Sequence, residues 1–210
     1  MGRLAPTGGR HDVAASADLL ALDNVDDWCA ASLKDAATND TLVADRITVI
    51  PFTAPAMSHE NRIEELGLEL PPAPKPAGVY KPVVVVDGMA YVSGHGPLKS
   101  DKTLISGRLG LDMDVEAGYA AARQTGLAML ATLQSHFGSL NKVKRVVKLL
   151  GLVQCVEGFP DSPAVINGCS ELFRDVFGEE NGVGARSAIG TNSLPGKIAV
   201  EIEAIFEVDA

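Results

Sequence analysis

An arginine and a glutamate offer the most chemistry in this sequence. Arg186 stands between Gly184-Ala185 and the β-rich run Ser187-Ala-Ile-Gly190, and Glu201 is an acid inside an otherwise apolar run fifteen residues later. A guanidinium in such a place offers a planar fork for a carboxylate, and a carboxylate beside it can hold and deprotonate water. The same pair could equally form a structural ion pair. Other chemistries fall away. His11, His59, His95 and His136 are scattered and neither HExxH nor CxxC occurs, so no metal centre is expected. No GxSxG elbow is present. The stretch Gly190-Thr-Asn-Ser-Leu-Pro-Gly196-Lys197 has five residues between its glycines where a phosphate loop has four, contains Pro195 and runs on into Ile198. It reads as a turn between strands. Gly94-His95-Gly96 lacks the third glycine of a dinucleotide cradle and precedes no helix.

Such residues need elements to position them. Glu60 to Leu68 predicts a short helix with Ile63 and Leu66 on one side, and the prolines Pro71, Pro72, Pro74 and Pro76 then force an extended segment. Val83–Val86 and Met89–Ser93 flank Asp87-Gly88, the pattern of a type I′ hairpin. Asp114 to Phe137 predicts a helix ending at Gly138, with Ala117, Ala121, Leu127, Leu130, Leu133 and Phe137 on its apolar side. At 1.5 Å per residue it is roughly 35 Å long, enough to cross a whole sheet. Lys144–Val156 reads as a strand. Ser162-Pro163 predicts an N-cap and a second helix with Val165, Cys169, Leu172, Phe173, Val176 and Phe177 on one face, ended by Gly178. Ser187–Leu194 and Lys197–Val208 read as strands returning through a turn near Pro195, which could carry Arg186 and Glu201 to one end or to an interface. The predicted fold is α+β: two layers, a mostly antiparallel sheet, and two helices on one face.

That architecture leaves the other sheet face bare. The run Val83–Val86 is apolar on both faces, so a symmetric homo-oligomer packing sheet on sheet is expected, with burial by residues 1–56 of a monomer as the alternative. Those residues differ from the rest. They carry eight Asp, no Glu, three Arg and one Lys, and no apolar period lasts beyond one or two turns. They fit neither a secretory signal nor a mitochondrial presequence. Residues 1–56 therefore read as an acidic extension that is disordered or lies upstream of a true start at Met57, unless they form a genuine extension with its own helix. Residues 57–210 form the folded domain.

Composition narrows the partners. A net charge of −9 argues against nucleic acid and anionic membrane, and no apolar run approaches the ~20 residues needed to span a bilayer. Cys29, Cys155 and Cys169 are too few and too far apart for a disulfide framework, which favours a reducing, cytoplasmic setting and small buried hydrophobes.

A set of motifs in order gives the chain a family likeness: Ala77-Gly-Val-Tyr80, Tyr91-Val-Ser-Gly94 with Pro97, Asn167, Gly184-Ala-Arg-Ser187, Leu194-Pro195 and Val200-Glu-Ile-Glu-Ala204. Residues 75 to 208 thereby resemble the YjgF/RidA family of enamine and imine deaminases, also called endoribonuclease L-PSP. The resemblance implies a chorismate-mutase-like fold, a homotrimer with clefts between subunits, and no cofactor. It implies Arg186 as the anchor of a small substrate's carboxylate, Glu201 as the group that positions water and manages protons, and Tyr80, Gly94 and Asn167 as cleft lining. The implied reaction hydrolyses a reactive enamine or imine to a 2-keto acid and ammonia. A non-catalytic module that binds small carboxylates or a partner protein, and an L-PSP-type ribonuclease or translation inhibitor, are the alternatives. The acidic charge counts against the last. The sequence departs from the family around the pocket: His95 stands where Gln is common, Gly78-Val79-Tyr80 replaces Gly-Pro-Tyr, and Ala188 follows Arg186 by two. His95 is expected either to carry protons or to hydrogen-bond in the core.

Overall fold

The computed structural model describes residues 58–209; the expectations for the extension 1–56, the start at Met57, His11 and Cys29 lie outside the described residues. Helix α1, His59–Glu65, opens on Ser58, whose Oγ accepts from the Asn61 N–H at 3.1 Å. It stops short of Leu68 because Gly67 turns the chain at φ 60°. Ile63 and Leu66 pack on the core as expected.

Strands β1, Val83–Val86, and β2, Met89–His95, form the expected hairpin, and Asp87 and Gly88 hold φ 49° and 74°. Both are positive, as a type I′ turn requires. Helix α2, Val115–Phe137, begins after Asp114, whose carboxylate accepts from Ala117 N–H, and ends on left-handed Gly138. Its buried stripe differs from the expected one. Ala117 is exposed, and Gly118, Ala122, Thr125, Gly126, Met129 and Thr132 are buried, because the helix is pressed both by the sheet and by a second helix. That helix, α3, is Ser162–Phe177. Its N-cap is Asp161 and not Ser162, which is already helical and buried, and Pro163 falls in the first turn. The two helices touch through small residues. A Cβ on Gly126 would lie 2.8 Å from Leu172 Cδ2, and one on Gly168 would collide with the Tyr119 carbonyl. The six apolar residues expected on α3 are all buried.

Strand β3, Val143–Gln154, strand β4, Ala185–Thr191, and strand β5, Val200–Val208, complete a sheet of order β1-β2-β5-β3-β4. Every pairing is antiparallel except β3 with β4. The expected return of β4 directly onto β5 is therefore corrected. Strand β5 inserts between β2 and β3, and the loop through Pro195–Lys197 carries the chain past β3. The parallel β3–β4 pair follows from α3, which brings the chain back to start β4 at the same end as β3.

One face of this sheet lies under α2 and α3. Residues Val200, Ile202, Ala204, Phe206 and Val208 of β5 point there and are buried. Among the described residues nothing covers the opposite face, and Val84, Val86, Tyr91 and Ile189 on it are 43%, 51%, 47% and 51% exposed. The α+β, two-layer, mostly antiparallel expectation holds. Cys155 and Cys169 are free and buried. Among the described residues no helix is long and apolar enough to cross a membrane.

Candidate functional site

Register decides which site residues can meet. Arg186 on β4 is opposite Leu149 on β3, and Glu201 on β5 is opposite Leu152. Leu149 is buried beneath the helices, so Arg186 shares the helix face; Leu152, three residues on, takes the other. Two strand spacings across and three residues along place the Arg186 and Glu201 Cα atoms about 14 Å apart, with side chains on opposite faces. They form no ion pair, and one chain cannot bring both to one small substrate.

The arginine half-site lies at the sheet edge under α3. Arg186 Nη1 donates to Asn167 Oδ1 at 2.7 Å and to Ser170 Oγ at 3.0 Å. Both acceptors are neutral, so the guanidinium is oriented while its charge stays uncompensated. Asn167, implied as cleft lining, is thus a holder of Arg186. Ser170 was missed by sequence reading, although its spacing of three from Asn167 puts both on one helix face. Cys169 lies close by in full burial, which pushes its thiol well up and keeps it protonated despite the Arg186 charge.

The glutamate half-site lies across the sheet. The β2–β5 ladder carries a bulge between Val92 and His95: Val92 pairs with Ala204 and His95 with Ile202, so three steps on β2 match two on β5. The bulge lays Gly94 against the Glu201 side chain. A Cβ there would collide with the carboxylate and sit 3.0 Å from Cδ and 3.1 Å from Cγ, so only glycine leaves that carboxyl its place. Glu201 is raised above the ordinary carboxylate range, first by burial and then by the charge of Glu203 on the same strand face.

His95 pins the bulge. It is 5% exposed, with Nδ1 at 2.6 Å from the Ser93 carbonyl and Nε2 at 2.8 Å from Thr132 Oγ1 on α2. The Ser93 carbonyl can only accept, so Nδ1 carries the proton and Nε2 accepts from the threonine hydroxyl. Burial holds the imidazole below its ordinary value, partly offset by the Ser93 bond. Of the two expectations for His95, hydrogen bonding in the core is the one its surroundings match. Thr132 gave no sequence signal beyond its place on the helix.

Glu201, Gly94, His95 and Tyr80 line one cavity of about 1020 Å³. The extended segment around Pro72 to Gly78 forms one wall, and the Tyr80 hydroxyl fastens it by accepting from Ala77 N–H at 3.2 Å. The loop bearing Pro195 and Gly196 forms another wall. Gln154 holds that loop, accepting from Leu194 N–H at 2.9 Å while its amide donates to the Gly107 carbonyl at 2.9 Å. Arg186 and Asn167 do not line this cavity. Among the described residues no three His, Cys, Asp or Glu side chains cluster to hold a metal.

Comparison with known proteins agrees with this fold. The sequence profile described as "YjgF/chorismate mutase-like, putative endoribonuclease" matches residues 60–199. Protein TCP17 of Trypanosoma cruzi is 39% identical over 147 residues, covering 70% of this chain and 92% of that protein. A crystal structure of a protein of unknown function from Agrobacterium tumefaciens superposes with a TM-score of 0.66 at 40% identity, over 73% of this chain and 94% of that one. A structure described as a "putative endoribonuclease" from Shewanella oneidensis MR-1 gives 0.69 at 30% identity, over 72% of this chain and 100% of that one. The chain belongs to the YjgF/RidA, chorismate-mutase-like family.

Proposed function

We propose that the protein hydrolyses reactive 2-imino acids, and the enamines that tautomerise to them, to 2-keto acids and ammonia. The observation that carries this reading is Arg186, a guanidinium fixed by two neutral oxygens and left without an acidic partner among the described residues. A substrate carboxylate would supply the missing charge and meet a preorganised fork. Glu201 supplies the second requirement. As a carboxylate it takes a proton from water as the water oxygen bonds to the imine carbon. As an acid, a form its raised pKa favours, it gives that proton to the nitrogen. Glu201, a carboxylate again, then takes the hydroxyl proton of the resulting carbinolamine and passes it to the nitrogen as the C–N bond breaks, releasing ammonia and leaving the keto oxygen. Tyr80 and Gly94 line the space where this happens.

Because Arg186 and Glu201 face opposite ways in one chain, the working site joins the Arg186 half of one copy to the Glu201 half of another. The open sheet face, with its exposed Val84, Val86, Tyr91 and Ile189, gives a physical reason for copies to associate. A closed trimer, as the family resemblance implies, gives each copy one neighbour on either side. The activity is tested by generating 2-iminopropanoate with an amino-acid oxidase and following pyruvate. Wild type should accelerate hydrolysis, and Arg186→Ala should abolish the acceleration while light scattering still reports the oligomer. Equal rates for both proteins would overturn the assignment.

A further inference from the structure

The bulge in β2 puts on one face two residues that plain alternation would separate. Val92 and His95 are three positions apart, yet both are buried beneath the helices, at 3% and 5% exposure. Continued without the bulge, the pairing of Val92 with Ala204 would set Ser93 against Glu203, Gly94 against Ile202 and His95 against Glu201. The imidazole would then share the face of the Glu201 carboxyl, where even a Cβ on Gly94 has no room. The strand therefore has two registers, and only the bulged one keeps a glycine beside that carboxyl.

Apolar packing alone does not choose between them. Burying an imidazole costs free energy unless both ring nitrogens are satisfied. His95 Nδ1 donates to the Ser93 carbonyl, a local bond between residues two apart. Ser93 is also fastened from its other side, where its N–H donates to the Pro82 carbonyl at 3.0 Å and its Oγ to the Lys81 carbonyl at 2.8 Å. Neither of those bonds decides which face His95 takes. Nε2 needs a donor from outside the strand, and the Thr132 hydroxyl on α2 is that donor, at 2.8 Å. Thr132 is 4% exposed, with the apolar Ala128, Met129 and Leu133 buried around it on the helix.

We propose that Thr132 is a positioning residue for Glu201. By holding His95 under α2 it selects the bulged register, and that register lays Gly94 against the carboxyl. The effect on turnover rests on the deaminase reading, whereas the effect on the carboxyl does not. The test compares Thr132→Val, which keeps the shape and loses the hydroxyl, with Thr132→Ser, which keeps the hydroxyl. The titratable groups around Glu201 are Tyr80, His95, Lys75 and Lys102 of the cavity and Glu203 on β5, and neither substitution alters any of them. In carbon-13 NMR of the full-length protein without substrate, the Glu201 carboxyl should titrate at lower pH in Thr132→Val than in wild type, because a relaxed bulge admits water and turns the imidazole toward it. Thr132→Ser should restore the wild-type midpoint. In the imine assay Thr132→Val should lower kcat about tenfold with KM little changed, since the Arg186 half is untouched, and Thr132→Ser should recover most of the rate. A wild-type Glu201 midpoint in Thr132→Val would overturn the proposal whatever its activity. A lowered midpoint, with no imine turned over even by wild type, would overturn the deaminase reading and leave the positioning role standing. If Thr132→Val does not fold, His95→Asn makes the test from the strand, because it keeps a donor for the Ser93 carbonyl and gives up the helix. It should lower the midpoint in the same way, and an unchanged midpoint there would also overturn the proposal.

Discussion

The two half-sites are held in opposite ways. Arg186 sits on an edge strand and is fixed by the hydrogen bonds it donates to a helix, so its geometry depends on the distant packing of α2 on α3. Glu201 sits on an inner strand and is fixed by close approach to a bulged neighbour, with poor solvation in place of donors. The separation has a consequence. On one sheet face within ion-pair reach, the guanidinium would lower the carboxyl's pKa and each charge would satisfy the other. Held apart, the cation keeps its charge for a ligand and the acid keeps an elevated pKa suited to passing protons.

Changes that move only one half sharpen this contrast. The largest effect is expected from Gly94→Ala, because the added methyl must displace the flexible end of Glu201. If Glu201 acts as proposed, displacing its carboxyl should lower kcat/KM by about 10²-fold, with the thermal midpoint nearly unchanged, in paired kinetic and melting measurements. An unchanged rate would show that the approach of Gly94 does not set the carboxyl's position. On the other half, Asn167→Ala combined with Ser170→Ala removes both oxygens that orient Arg186. The expected result is a KM raised about tenfold with kcat largely kept, the pattern of lost substrate anchoring. A fall in kcat alone would place Arg186 in the chemistry and not in binding.

The smallest effect is one of stability. Folded Glu201 keeps its proton at pH values where the unfolded side chain, near 4.5, has lost it. Folding therefore takes up a proton in that window, and stability falls as pH rises from about 4.5 through the folded midpoint. Glu201→Gln cannot ionise. It should melt slightly above wild type at pH 7, with the difference vanishing below pH 4, when melting is followed by circular dichroism across that range. A constant difference at every pH would assign the change to packing.

Local chemistry made much of the fold legible in the sequence. Asp87-Gly88 specified its turn, and Asp114 and Gly138 bounded α2, because each depends on neighbours a few positions away. The place of β5 between β2 and β3 was not legible, since strand order depends on pairings between segments far apart in the chain. The opposite facing of Arg186 and Glu201 was lost with it. A spacing of fifteen residues fixes no face once a loop and a crossover past another strand intervene. Ala117 was misplaced for a related reason: periodicity identifies an apolar stripe, but α3 packing against Gly118 and Gly126 widened and turned the buried one. The motif residues Tyr80, Gly94 and Glu201 line one cavity, whereas Asn167 and Arg186 stand apart from it.

The proposal that two copies complete each site can be tested by mixing two inactive proteins. Arg186→Ala retains the glutamate half and Glu201→Gln retains the arginine half. Co-expressed with different affinity tags and purified through both, they should form mixed oligomers in which intact halves meet at some interfaces. In a closed trimer every mixed oligomer holds one intact site in three, so imine hydrolysis at about a third of the wild-type rate is the predicted result. Mixed oligomers confirmed by both tags that remain as inactive as either parent would contradict a site shared between copies.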